Sequence, residues 1–274
     1  MFQYLENKWN ETWKSLGLKI PTPNYIEEIR RHYGDRTREY HNFTHLRECF
    51  DWLWAYEWKT RLFGERGAIE LAIWFHDIIY YPQNSDSEER SCEWATEATK
   101  SAGGNDRLIK KVQEMIMLTK GHQYSGNDFI IPVFLDIDLA ILGAPPHRFA
   151  EYEESIRREF SHVPDSIFAT KRREVMESFL SRRSIFTTAF FIGSLENRAR
   201  RNLSKYLSRD KFDEFCKEVC HPCKNGIKVE FDKRDGSYQH YVTGRTSWAD
   251  PEPYGAYSTC EMSRERTEWA KLNG

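Results

Sequence analysis

The sequence lacks several features that would place it in a special class of protein. No apolar run reaches the roughly 18 to 20 residues that a transmembrane helix needs, and the first residues lack the basic and then apolar stretches of a secretory leader. Acidic and basic residues nearly balance, at 42 and 40 of 274, so no net field favours nucleic acid or an anionic membrane. Internal repeats and low-complexity segments are also missing. We therefore expect a cytoplasmic protein whose partners are recognised at a local site.

The six cysteines are unevenly distributed along the chain. Cys49 and Cys92 lie singly in predicted helices, as the reduced thiols of a cytosolic protein would. The other four lie in the last quarter of the chain: Cys216, Cys220, Cys223 and Cys260. One C-x-x-C pair with a single distant cysteine is a weak indication of a zinc knuckle. Free thiols are the simpler interpretation of this group.

Apolar residues recur at helical spacing through most of the chain up to about residue 210. The spacing predicts helices at 4–15, 24–34, 68–80, 87–101 and 105–120, and helical structure throughout 147–207. No alternating strand pattern competes there, so we predict an all-α bundle for a domain at 1–210. The remaining residues, 211–274, alternate apolar and polar side chains at 226–232 and carry a hairpin signal at Asp235-Gly236. They predict a small C-terminal β-containing appendage.

Polar side chains interrupt the apolar segments of the predicted bundle. His76 and Asp77 lie within the apolar run Leu71–Tyr81, and an unpaired polar group in such a run is costly to bury. An isolated His-Asp pair is more often satisfied by its neighbours or by water, but His45 and Asp136 add two further polar groups in apolar helices. One divalent ion would satisfy all four, because imidazole and carboxylate both bind such ions. The sequence therefore predicts a shared metal site.

The order of these residues resembles the HD superfamily of metal-dependent phosphohydrolases, whose pattern is a histidine, a later His-Asp pair and a distal aspartate. Further stretches are similar to a predicted bacterial-type branch of that superfamily: Tyr40-His41-Asn42-x-x-His45, Phe75-His76-Asp77-Ile78, Glu88-Glu89-Arg90-Ser91, Thr119-x-x-His122, Phe134–Gly143, Ile156-Arg157-x-Glu159-Phe160 and Glu196-x-x-Ala199-Arg200-x-Asn202-Leu203. The resemblance covers roughly residues 5–208. It implies an HD-type helical fold that hydrolyses a phosphomonoester or phosphoanhydride of a small molecule, with nucleotides favoured.

The resemblance also implies roles for individual residues. The implied ligands of one divalent metal (Mn, Zn, Fe, Co or Mg) are His45, His76, Asp77 and Asp136. Some relatives place a glutamate three residues after the aspartate of the pair, where this chain has Tyr80. The base must then come from elsewhere, and its candidates are His122, Glu88, His41 and Asp138. Asp138 lies two residues after Asp136, so the two cannot easily share a helix face.

Two alternatives to a one-metal hydrolase remain open. Two-metal members of the superfamily, including its iron oxygenases, use two more histidines before the final aspartate, whereas here only His122 lies in that interval. The spacing therefore favours one metal over an oxygenase. The second alternative is a binding or scaffold protein that keeps a structural metal and recruits partners through its C-terminal ribbon. Residues 226–252 resemble the second half of a WW module, best at Thr243–Pro251 but without the first tryptophan, and such a module binds proline-rich peptides.

Overall fold

The computed structural model describes residues 2–22, 24–60, 65–219, 227–232 and 237–242. Most of them are helical. The helices in chain order are α1 (Phe2–Ser15), α2 (Tyr25–Tyr33), α3 (Phe43–Thr60), α4 (Arg66–Phe75), α5 (Ser87–Ser101), α6 (Asp106–Leu118), α7 (Ile130–Asp138), α8 (Pro146–Glu159), α9 (Asp165–Leu180), α10 (Ala189–Phe191) and α11 (Asn197–Val219). A 3-10 helix at Leu139–Gly143 follows α7, and a π-helical turn at Ile192–Glu196 joins α10 to α11. The helical fold class predicted from the sequence is confirmed.

Two strands are described beyond α11. They are β1 (Ile227–Asp232) and β2 (Ser237–Val242), which pair antiparallel with Ile227 opposite Val242. Cys216 lies within α11. The remaining predicted features of this region lie outside the described residues, namely the turn at Asp235-Gly236, the WW-like stretch Thr243–Pro251 and the cysteines Cys220, Cys223 and Cys260.

Helix α4 is central because it is buried on every side. Its residues from Gly67 to Phe75 are all buried, and it packs against α1, α3, α5, α6 and α7. The contact with α1 is aromatic, since the rings of Trp9 and Trp74 meet edge to face with centroids 5.4 Å apart. The indole N–H of Trp74 also donates a hydrogen bond to the hydroxyl of Thr12 at 3.1 Å. These contacts fix the end of α4, and with it the residues that follow.

Helix α4 ends at Phe75 and not at Tyr80, so the prediction of one helix through residue 80 is wrong. The loop between α2 and α3 explains the early end. Arg38 donates to the carbonyl oxygens of Asp77 at 2.7 Å and of Ile78 at 2.8 Å. The backbone N–H of Asp77 donates to the hydroxyl of Tyr33 at 3.2 Å. These bonds satisfy backbone groups outside the helical ladder, so the chain turns and Asp77 is released from the helix.

The apolar helices of this domain are short. Among the described residues, no single helix is both long and apolar enough to cross a membrane. The pair Ile130–Gly143 and Pro146–Glu159 passes the test of length and composition only when taken together, across a bend of 100°.

Candidate metal centre

Side chains from three segments converge beside the end of α4. His45 comes from the first turn of α3, His76 and Asp77 from the turn after α4, and Asp138 from the end of α7. The His45 Nε2 atom lies 3.0 Å from His76 Nε2, which lies 3.0 Å from Asp77 Oδ2. Asp138 Oδ1 lies 3.3 Å from His45 Nε2 and 3.5 Å from His76 Nε2. We call these residues the four-residue centre.

The spacing of these atoms matches the coordination shell of a metal ion. Two ligands that are each about 2.1 Å from an ion lie about 3.0 Å apart at a right angle and about 3.4 Å apart at the tetrahedral angle. In the four-residue centre, the distances from the histidine nitrogens to each other and to the carboxylate oxygens run from 3.0 to 3.6 Å. Two imidazoles and two carboxylates form a donor set that zinc, iron and manganese accept. The ligand atoms of His45, His76 and Asp77 all lie within 4.8 Å of one another and so fit one divalent ion, and Asp138 lies beside them with its Oδ1 atom 3.3 Å from His45 Nε2.

Hydrogen bonds behind the centre orient its donors. The Nδ1–H of His76 donates to the carbonyl oxygen of Ile73 at 3.0 Å, so the lone pair of His76 Nε2 faces the centre. Asp138 Oδ2 accepts a hydrogen bond from His122 Nε2 at 2.8 Å, while its Oδ1 faces the centre. In metal sites such outer bonds fix the tautomer and the direction of the ligands. The structure thus gives two of the donors the support that a metal ligand receives.

Negative charge is in excess at the centre. Its two carboxylates form ion pairs with histidines, and within the described part of the chain neither pairs with a lysine or an arginine. Although burial disfavours a charged imidazole, Asp77 and Asp138 raise the pKa of His76 well above its ordinary value. Burial likewise opposes ionisation of the two aspartates, but His76 lowers the pKa of both. The centre therefore favours a cation, whether a proton or a metal ion.

Asp136, the predicted fourth ligand, does not reach the centre, and Asp138 occupies that place. The carboxylate of Asp136 accepts hydrogen bonds from the backbone N–H groups of Thr187 at 2.8 Å and Thr188 at 2.7 Å, and from the Thr188 hydroxyl at 2.8 Å. Burial raises the pKa of Asp136 to about 6, although these bonds favour its charged form. Helical side chains two residues apart point in different directions, so only one of the two aspartates can face the centre.

The predicted proton carriers lie in three different places. His122 touches the centre through its bond to Asp138. His41 lies beside it, with its ring centroid 5.9 Å from that of His45 and its Nδ1 atom 2.7 Å from a carboxylate oxygen of Glu159. Glu88 lies against Lys120 at 3.7 Å. Among the described residues, no hydrogen bond or ion pair joins Glu88 to the four-residue centre.

Glu159 was not among the predicted site residues, yet it organises the segment that carries His41. Its Oε1 atom accepts the backbone N–H groups of Tyr40 at 2.8 Å and His41 at 3.0 Å, while its Oε2 atom binds the His41 ring. Bonds from His41 lower the pKa of Glu159 even though burial opposes this. The only signal in the sequence was its place in one of the matching motifs. Spacing could not pair two residues that are 118 positions apart.

Cys49 also lies next to the centre. It follows His45 by one turn of α3, and its Sγ atom lies 3.8 Å from both ring nitrogens of His45. Together with Asp138, these residues form a second group of potential ligand atoms. Burial raises the pKa of the Cys49 thiol well above its ordinary value. Without an ion, the thiol is therefore neutral and packs as a small apolar group.

No protein-family model, curated protein or solved structure matches the chain. The HD resemblance therefore rests on the motifs in the sequence alone.

Proposed function

We propose that this chain is a metal-dependent phosphohydrolase with an HD-type helical domain at 1–210 and a β-containing appendage at 211–274. One observation carries the proposal: the ligand atoms of His45, His76 and Asp77 lie within 4.8 Å of one another, and Asp138 Oδ1 lies 3.3 Å and 3.5 Å from the two histidine Nε2 atoms. The order of residues that resembles the HD superfamily is kept when Asp138 takes the place of Asp136. The substrate is a phosphomonoester or phosphoanhydride of a small molecule.

Four protein ligands leave room on a divalent ion for water and a phosphoryl oxygen. The chemistry that such an ion supplies is that of a Lewis acid, which polarises the phosphoryl group and lowers the pKa of water. The protein holds the donors in place for this task. Arg38 secures the turn that presents Asp77, and His122 directs the carboxylate of Asp138.

His41 is the residue we assign to proton transfer. Its Nδ1–H donates to the Glu159 carboxylate at 2.7 Å, so its Nε2 atom is the nitrogen left to exchange a proton. The His41 ring stacks on Tyr80 with centroids 3.8 Å apart, which holds its orientation. A base that is oriented by a carboxylate behind it is a common arrangement for proton transfer. His41 Nε2 takes the proton of the attacking water and returns it to the oxygen of the leaving group.

Metal content and phosphate release test the proposal together. We expect the wild-type protein to bind one equivalent of a divalent metal and to release phosphate from a nucleotide and sugar-phosphate panel. Asp77→Ala removes a ligand and should lower that rate at least ~100-fold. Glu88→Ala is the matched control, because Glu88 pairs with Lys120, and it should keep the activity.

The outcomes separate the alternatives. Stoichiometric metal without phosphate release from any class of compound would contradict the hydrolase. It would favour a scaffold protein with a structural metal, whose C-terminal residues recruit partners. Loss of activity in Glu88→Ala with full activity in His41→Ala would move the proton carrier from His41 to Glu88.

A further inference from the structure

A cavity of about 140 Å³ adjoins the four-residue centre. His45 and Asp138 line the cavity and also belong to the centre, so the cavity borders the centre on the side of these two residues. The other walls are mostly apolar or aromatic and include Tyr40, Trp52 and Ile141. A group bound in this cavity would therefore lie next to His45 and Asp138.

The aromatic walls of the cavity are held from behind. The Trp52 ring packs against Phe191 with centroids 5.6 Å apart, and Phe191 is fully buried. Phe191 follows Thr188, whose backbone is held by Asp136. On the other side, the ring of Tyr40 packs against that of Tyr152 at 4.5 Å. Rings packed in this way hold the two aromatic walls of the cavity in place.

Two of the charged residues that line the cavity, Arg148 and Glu48, neutralise each other. Arg148 donates to both carboxylate oxygens of Glu48, at 2.7 Å and 2.9 Å. Such a two-bond pair satisfies the carboxylate and occupies the guanidinium. The paired Arg148 guanidinium is therefore a poor partner for a phosphate group inside the cavity. An occupant that carries no charge fits this space best.

We propose that the cavity receives the leaving group of the substrate and that this group is one planar, uncharged ring. This inference rests on the proposed function, since it places the phosphoryl group at the four-residue centre. An apolar protein cavity of roughly 150 Å³ holds one benzene ring, so a single ring matches the volume of this space. Aromatic walls stack well on a planar ring. The substrate class is thereby narrowed from nucleotides to phosphomonoesters of single-ring alcohols or phenols.

Phosphonates that cannot be hydrolysed test the inference without turnover. Phenylphosphonate and 1-naphthylphosphonate carry one and two rings on the same headgroup. In calorimetric titrations of the full-length, zinc-loaded protein, we expect phenylphosphonate to bind about tenfold more tightly than 1-naphthylphosphonate. An open apolar groove would give the opposite order, because the larger ring buries more apolar surface.

Two variants that change the cavity volume sharpen the test. Ala144→Leu adds bulk to a lining residue and should weaken phenylphosphonate about tenfold with unchanged zinc content. Ile141→Ala enlarges the cavity and should narrow or reverse the preference for the single ring. If Ala144→Leu lowers the melting temperature and the zinc content, Ile141→Ala alone decides.

Equal affinity for the two phosphonates, tighter binding of the naphthyl compound, or no binding of either would overturn the inference. Ring selection in a protein that releases no phosphate from any ester would overturn the hydrolase proposal alone. Phosphate release without ring selection would overturn the cavity assignment alone.

Discussion

Two groups of largely buried charged side chains in the helical part of the chain balance their charges differently. The first, which we call the paired cluster, consists of Lys8, Glu57, Arg66 and Glu70. Lys8 Nζ lies 2.5 Å and Arg66 Nε 2.7 Å from the same oxygen of Glu70, and Arg66 also pairs with Glu57. Its two cations and two carboxylates neutralise each other. The four-residue centre has two carboxylates and only histidines beside them.

The difference separates a structural role from a binding role. A buried carboxylate costs free energy unless a cation or a hydrogen-bond donor meets it. In the paired cluster, cations of the same chain neutralise the carboxylates. The cluster therefore stabilises the fold and needs no ligand. In the four-residue centre, the carboxylates are neutralised only when a proton or a metal ion binds. They can therefore contribute binding free energy to such a ligand.

Removal of a ligand from the centre should give the largest effect. His76→Ala deletes a donor that is 1% exposed, and we expect metal affinity to fall at least ~1000-fold, or about 4 kcal/mol. A metal-binding titration measures this. His32→Asn is the matched control, because His32 is also buried but belongs to α2. Equal affinity in both variants would show that the centre does not bind the ion.

The paired cluster should respond in stability and not in metal binding. Glu70→Ala leaves Lys8 and Arg66 without their shared carboxylate oxygen, and we expect the free energy of unfolding to fall by about 3 kcal/mol. Urea denaturation measures the loss. Glu114→Ala changes an exposed glutamate and should cost less than about 0.5 kcal/mol. A drop in metal affinity for Glu70→Ala would contradict the separation of the two groups.

The helices of the bundle could be predicted because their signal is local. Apolar spacing marks α1, α2, α5 and α6 within a few residues of their observed ends. The end of α4 could not be predicted, since it depends on Arg38, which binds carbonyl oxygens 39 and 40 positions away in the sequence. Apolar spacing carries no information about such a contact.

The centre shows the same limit. Three of its members, His45, His76 and Asp77, could be proposed from their setting in apolar segments and from the resemblance. The resemblance implied Asp136 as the fourth member, whereas the helical period predicts only that Asp136 and Asp138 point apart. The choice depends on Thr187 and Thr188, whose amides bind Asp136 from more than 50 positions away.

The support behind the centre should have a smaller effect than the ligands themselves. His122→Asn removes the bond to Asp138 while it keeps a residue that tolerates the backbone φ of 48° at this position. We expect metal affinity to fall about 10- to 100-fold, as for other outer hydrogen bonds of metal sites. Competition with a chelator measures it. Unchanged affinity would mean that the orientation of Asp138 is fixed by α7 alone.

His32 lies in surroundings opposite to those of His76, because its charged neighbours are mainly cations and not carboxylates. It provides the last test. Burial, followed by the charges of Arg31 and Arg38, lowers the pKa of His32 to about 4, against a contribution from Glu28. Between about pH 6.5 and pH 4 the unfolded chain binds more protons than the folded chain at this histidine, so the free energy of unfolding should fall as the pH is lowered through this range. His32→Asn should flatten this part of the pH curve. Identical slopes in the two proteins would contradict a buried, neutral His32.

The claim that Asp138 and not Asp136 completes the metal centre is tested most directly by the metal content of two matched variants. Asp136→Asn and Asp138→Asn make the same change two residues apart in α7. After reconstitution and dialysis, we predict one equivalent of metal in the wild type and in Asp136→Asn, and almost none in Asp138→Asn. Loss of metal in Asp136→Asn with full metal in Asp138→Asn, or equal metal in all three proteins, would contradict the account.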